Sequence, residues 1–117
     1  MANPYESLAN GIIELAVKDY RRARKYLAKH PRAEELEATV AAQLAEKKKR
    51  REERAKLKLP TVKEKLSKEE RLLDNIAANE RMALETEKFF LSEWFTDLTE
   101  INGKWLFTQL KQETEVE

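Results

Sequence analysis

The 117-residue chain predicts an all-α fold, a small helical bundle with a long protruding antiparallel helical hairpin, on three observations. Only two Gly and three Pro punctuate it while 38% of residues are charged, a balance that suits long charge-laced helices and starves a strand-and-turn fold. Apolar residues recur at spacings of three and four over long stretches, the mark of one buried helical face. Between two such stretches lies Glu46-Lys47-Lys48-Lys49-Arg50-Arg51-Glu52-Glu53-Arg54, which has no apolar side chain and so cannot enter a core. It stands as a solvated helix or meets something anionic. With 41% hydrophobic residues, this length furnishes one modest core, and a single helical domain over 1–117 is expected.

The first helix is expected over residues 4–30. Pro4 suits a first helical turn because its φ is already fixed, Asn3 can cap it, and His30-Pro31 ends it. Tyr5, Leu8, Ile12, Ala16, Tyr20, Ala23 and Leu27 make one buried stripe, with Lys18, Arg21, Arg22 and Lys25 on the opposite side. The second helix runs from about Arg32 to Leu59. Its stripe, Leu36, Val40 and Leu44, disappears into the charged segment, and Pro60-Thr61 stops it. Ser67-Lys68-Glu69-Glu70 announces the third helix as a capping box in which Ser67 and Glu70 satisfy each other's end of the first turn. Leu72, Ile76, Met82 or Ala83, and Phe90 follow on its apolar side. Two helices of roughly 25 residues joined by a short Pro-containing turn form a hairpin over 32–88, on the order of 40 Å long, with its tip near Pro60 away from the core.

Residues 89–112 concentrate the aromatics: Phe89, Phe90, Trp94, Phe95, Trp105 and Phe107. Ser92 caps a short helix through Leu98, and Asn102-Gly103 breaks the chain before a final helix from Lys104 to Lys111 carrying Trp105, Leu106 and Leu110. Thr99 to Phe107 is also compatible with a small type I′ hairpin around Asn102-Gly103. Trp94 and Trp105, at helical spacing, read as core, or alternatively as exposed partner anchors. Glu113, Glu115 and Glu117 make an acidic tail over 113–117.

Charge is unevenly placed. Residues 47–58 carry eight Lys/Arg against two Glu, a local +6 in a chain whose total is +1. The eight are Lys47, Lys48, Lys49, Arg50, Arg51, Arg54, Lys56 and Lys58. The returning residues 63–88 hold six Lys/Arg and seven Asp/Glu and do not neutralise them. Glu46–Arg50 and Glu52–Lys56 are i,i+4 pairs with Glu first, the favourable order for a self-stabilised solvated helix. Five consecutive cations, Lys47 to Arg51, exceed what those pairs can neutralise. The arm therefore reads as a contact for nucleic acid or a nucleoprotein, as a contact for a protein with an acidic groove, or as a solvated spacer.

Enzyme chemistry finds little to work with. No cysteine is present, which removes disulfides, thiolate nucleophiles and sulfur-ligated zinc, and agrees with a reducing cytosol. The lone His30, at a helix end, suits a capping or surface role. Without a second His, a Cys or a Gly-rich phosphate loop, neither a nucleophile–base pair nor a metal site can be assembled. Carboxylate-only chemistry through Glu80, Glu85, Glu87 or Asp97 is formally open, but their irregular spacing favours a solvated face. No catalytic residue, metal, cofactor or small-molecule substrate is expected, and neither a signal peptide nor a membrane span is recognised.

The segment Phe89-Phe90-Leu91-Ser92-Glu93-Trp94-Phe95-Thr96-Asp97-Leu98-Thr99-Glu100-Ile101-Asn102-Gly103-Lys104-Trp105-Leu106 resembles the C-terminal signature FFxSxWFxxLTxIDGExLI of small phage and prophage proteins of Gram-positive bacteria. Leu8-Ala9-Asn10-Gly11-Ile12-Ile13 and Ala16-Val17-Lys18-Asp19-Tyr20-Arg21-Arg22-Ala23 resemble the same family's N-terminal helix. Asn102-Gly103-Lys104 departs from the usual Asp-Gly-Glu, and residues 41 to 80 look like an insertion. The resemblance implies a helical core, a mobile-element origin and the bacterial host cytoplasm, and it transfers no catalytic residue. The expectation is a non-enzymatic accessory protein whose arm binds nucleic acid or a nucleoprotein machine. Inhibition of a host defence nuclease, the anti-CRISPR mode, is an instance by analogy. The rival is a structural protein whose hairpin self-assembles, as a homodimer for example, with charge steering helix register.

Overall fold

The computed structural model describes residues 4–115, and among them it contains five helices and no strand: α1 (Pro4–Lys29), α2 (Glu34–Lys56), α3 (Lys68–Phe90), α4 (Glu93–Leu98) and α5 (Gly103–Glu115). The protein is all-α, and residues 99–107 form a helix start instead of the alternative β-hairpin. The expected roles of Asn3, the Tyr5 side chain and Glu117 fall outside what is described. The chain divides into two compact units, one made of its two ends, up to His30 and from Ala78, and one made of Pro31–Ala77. The boundary lies inside α3.

In the first unit, α1 ends where Pro31 cannot continue it. His30 donates from its backbone N–H and from Nδ1 to the Tyr26 carbonyl, and its ring stacks on Tyr26 with centroids 4.3 Å apart, which is the capping role its position predicts. The face of α1 turned inward at its start is one residue further along than expected. Ala9 and Ile13 are buried while Leu8 is 63% exposed, and Tyr20 and Ala23 continue the buried line as predicted. Ile13 and Tyr20 meet Phe90, Phe95 and Leu110 in one apolar cluster. Its rings meet mostly edge to face, Tyr20 on Phe107 at 5.5 Å and Phe90 on Phe95 at 5.7 Å, the arrangement that aromatic quadrupoles prefer.

Side-chain caps set both short turns of this unit. Ser92 Oγ accepts from the Phe95 N–H at 3.2 Å and starts α4, and Asn102 Oδ1 accepts from the Trp105 N–H at 3.1 Å and starts α5. A Cβ built on Gly103 would collide with the Phe90 carbonyl oxygen, so only glycine lets α5 begin against the end of α3. α5 continues through Glu115, and Glu113 pairs with Arg21 at 3.0 Å, so the expected acidic tail is helical as far as it is described. Trp94 and Trp105 are not core: they are 55% and 59% exposed. Successive helical residues are turned by about 100°, so once Phe95 faces inward on α4 and Leu106 and Leu110 on α5, each preceding Trp is carried outward.

In the second unit, α2 lacks a side-chain cap at Ala33 but opens with Glu34, Glu35 and Glu37, favourable against the helix dipole. It ends at Lys56, short of the expected Leu59, in a Schellman turn. The Leu59 N–H reaches the Arg54 carbonyl at 2.9 Å, the Lys58 N–H reaches Ala55 at 3.1 Å, and Lys58 adopts the left-handed φ of 57°. Pro60 disfavours helical backbone only at Leu59, so the earlier stop is the work of this turn. Instead of a short turn, residues 57–67 form an extended return to α3. Ser67 Oγ caps α3 by accepting from the Glu70 N–H at 3.1 Å, but the reciprocal half of the capping box is missing because Glu70 points its carboxylate elsewhere. Val40 and Ile76 are the buried aliphatics of this unit, while Leu44, expected on the stripe, is 51% exposed.

Candidate functional site

The inward face of α2 beyond Val40 is polar. Gln43, Lys47, Arg50 and Arg54 recur at spacings of four, three and four, which puts all four on one side of the helix. Each grips the returning limb, residues 60–70. Gln43 Oε1 accepts from Ser67 Oγ at 2.5 Å, and Gln43 Nε2 donates to Glu69 at 3.3 Å. Lys47 Nζ donates to Glu70 Oε2 at 2.9 Å and to the Lys65 carbonyl at 3.3 Å. Arg50 forks onto Glu64 with bonds of 2.9 and 3.2 Å, and Arg54 places Nε and Nη2 on the Pro60 carbonyl at 3.2 and 3.0 Å. Partner numbers fall as the α2 numbers rise, so the two limbs run antiparallel.

Burial differs along this ladder. Glu70 is buried, with its side chain 4% exposed, and Lys47 covers it at 18%. The ammonium lies 2.7 Å from Oε1, which accepts no hydrogen bond and is compensated by that charge alone. Glu64 is held below the usual carboxylate range chiefly by the hydrogen bond from Arg50, whose own pKa rises for the same reason. Glu69 is also lowered, first by its own backbone N–H and then by Gln43.

The eight predicted cations thus fall into two sets. Lys47, Arg50 and Arg54 are committed to holding the hairpin closed. Lys48, Lys49, Arg51, Lys56 and Lys58 are exposed. The expected Glu46–Arg50 pair survives only as a 3.8 Å contact beside the closer Glu64, and among the described residues no Glu52–Lys56 pair forms.

The chain matches no family model, no curated protein and no solved structure. The functional reading rests on this geometry.

The sequence places residues 57–59 at the end of the second helix and a short turn after them, and points to no apolar site there. Leu57, Leu59, Val62 and Leu66 are all exposed there, an apolar residue every two to four positions in a segment that a simple turn would have left polar. With Leu44 on α2, three of them line a groove of about 420 Å³ edged by Arg50, Arg51, Arg54 and Lys63. Elsewhere, Glu80 and Glu87 line an open, mixed-charge groove with Arg24 and Lys111, while Glu85 and Asp97 are exposed. Among the described residues no cluster of His, Asp and Glu could hold a metal ion, and no helix is long and apolar enough to cross a membrane.

Proposed function

We propose that the protein is a non-enzymatic binder that sets Lys48, Lys49, Arg51, Lys56 and Lys58 against the phosphates of a nucleic acid, alone or within a nucleoprotein machine. The observation that carries this reading is the division of the cations. The folded hairpin absorbs three of the eight, and the others stay exposed along α2 and its C-terminal turn. Residues 31–77 contain no Phe, Tyr or Trp, so no base-stacking platform accompanies the charge. Such a surface suits phosphate contact without base readout. A mobile-element accessory protein that blocks a host defence nuclease in the bacterial cytoplasm, as an anti-CRISPR does, is the setting we favour, since obstructing a guide or target needs only binding.

Fluorescence anisotropy of labelled duplex DNA and RNA across a salt series tests it. Five phosphate contacts give a slope of log affinity on log salt of roughly −4 to −5 for duplex DNA, and reversing Lys48, Lys49 and Lys56 to Glu brings it to about −2. Absence of binding at low salt, or an unchanged slope in the reversal variant, would sink the proposal. The exposed Leu57, Leu59 and Val62 favour one second reading, self-assembly of the hairpin. Charge reversal would then change the sedimenting mass, whereas a phosphate-binding arm leaves mass fixed as affinity falls.

A further inference from the structure

We infer that the groove between α2 and residues 59–66 is a docking site for an acidic amphipathic peptide, one carrying aliphatic side chains on one face and Asp or Glu along its flanks. The groove shares Arg51 with the proposed phosphate contacts, but none of Lys48, Lys49, Lys56 and Lys58 lines it. Its floor is Leu44, Leu59, Val62 and Leu66, each between 47% and 55% exposed, whereas Val40 and Ile76 of the same unit are buried. About 420 Å³ accommodates roughly two or three aliphatic side chains, such as one helical face presents at i, i+4 and i+7.

The rim fixes the sign of the occupant. Arg50 and Arg54 are already bound to Glu64 and the Pro60 carbonyl, and Glu70 is covered by Lys47. Among the described residues, neither Arg51 nor Lys63 has a carboxylate in ion-pair range, and Glu64 acts on Arg51 only at longer range while bonded to Arg50, so the edges of the groove keep a surplus of positive charge. An acidic partner supplies the complement. The walls are also preformed: the ladder of Lys47, Arg50 and Arg54 pins residues 60–65 to α2, which lowers the ordering cost of binding.

Other occupants fit less well. A phosphate backbone neutralises the rim but leaves the aliphatic floor wet, and no aromatic side chain of this unit offers a base a surface to stack on. A bilayer surface is planar, and the floor is recessed between charged walls. A second copy docked face to face sets Arg51 and Lys63 against themselves.

The test is a fluorescent peptide of about 15 residues, with Leu at i, i+4 and i+7 and Glu or Asp on the flanks, titrated against the full chain beside a scramble of equal composition. The patterned peptide is expected to bind at least about tenfold tighter than the scramble, and Val62→Asp with Leu66→Asp to remove at least about tenfold of that affinity. The Lys48, Lys49 and Lys56 reversal should change it by no more than about threefold. Both altered groove residues are exposed, so folding should persist, as circular dichroism of the variant verifies. Equal affinity for the scramble overturns the proposal, as does a groove variant that binds like the native chain. Concentration-dependent dimerisation abolished by Val62→Asp would assign the groove to a second copy, and phosphatidylserine vesicles retained through the same residues would assign it to a membrane. Either result refutes the peptide. Duplex DNA titrated against the same variants reports the phosphate surface separately.

Discussion

The two units of this chain are both helical and both charged outside, yet they are held by different forces. In the first, Phe90, Phe95 and Tyr20 are buried in a continuous apolar cluster where the driving force is area removed from water, which is nondirectional and tolerates exchanges of similar volume. In the second, past Val40 and Ile76, successive inward positions are Gln43, Lys47, Arg50 and Arg54, each bonded to one or two groups of the returning limb. A buried polar rung such as Lys47–Glu70 is intolerant of error, because a partner removed leaves the other dehydrated and unpaired. The rungs also specify register, since sliding the limbs by one residue breaks every rung. An aromatic cluster makes a compact unit, and a polar ladder makes a hairpin that stays defined while leaving cations and leucines outside for partners.

The comparison breaks most severely at Gly103. Replacing it with Ala drives a methyl group into the Phe90 carbonyl and against Phe95, which forces α5 away from the cluster. The expected cost is about 3 kcal/mol or more by chemical denaturation. Gly11 is the internal control: a Cβ there meets nothing within 4 Å, so Gly11→Ala should stabilise by about 0.5–1 kcal/mol through helix propensity alone. Equal effects at both glycines would contradict the close approach of α5 to the end of α3.

Lys47→Met comes next and tests the second unit. It leaves the Glu70 carboxylate buried without its cation, a loss of roughly 2–3 kcal/mol given that Lys47 keeps some contact with water. The double change Lys47→Met with Glu70→Leu should recover most of it, because two apolar groups need no compensation. Hydrogen exchange should locate the loss in α2 and at the start of α3. A single variant as stable as the native chain would remove the ladder from the account.

These two sites also mark what the sequence could tell. Caps were legible at Ser67 and Ser92 because each acts on an N–H group three residues away, whereas Asn102 reads from the sequence as a break and proves to be a cap, and α1, α4 and α5 start within a residue of where their residue patterns place them. The charged segment was harder. Counting Lys and Arg along the chain treats Lys47 and Lys48 alike, although one helical step separates a buried rung from a solvated cation. The spacing of Gln43, Lys47, Arg50 and Arg54 was visible, but nothing local says that a polar stripe faces inward until Ser67, Glu64 and the Pro60 carbonyl are brought opposite it. Trp94 and Trp105 misled for a related reason: a large aromatic at helical spacing has a core-like pattern, and only its neighbours Phe95 and Leu106 decide which of two adjacent faces is buried.

A smaller effect, opposite in sign, is expected at Lys58. Its left-handed backbone closes the turn that stops α2, and a side chain with a Cβ is disfavoured there. Lys58→Gly should therefore stabilise the second unit by about 0.5–1 kcal/mol and leave the first unit's exchange rates untouched. A destabilised variant would mean that the Lys58 side chain has a structural partner outweighing the backbone gain.

The finest distinction is in acid. Because the Arg50 hydrogen bond lowers the Glu64 pKa in the folded state, the unfolded chain binds more protons than the folded one as pH falls through the carboxylate range. The pair's contribution is therefore complete at neutral pH, weakens as pH drops below the ordinary carboxylate value, and is lost once the folded carboxylate itself protonates. Glu69 acts with the same sign. Glu64→Gln keeps an acceptor for Arg50 but cannot titrate, so the acid limb of stability against pH, followed through α2 exchange, should become shallower. Salt should flatten the native curve in the same way, since the pair is largely exposed and screened. An acid limb identical in native and Glu64→Gln proteins would leave the Arg50 rung as a geometric contact without electrostatic consequence.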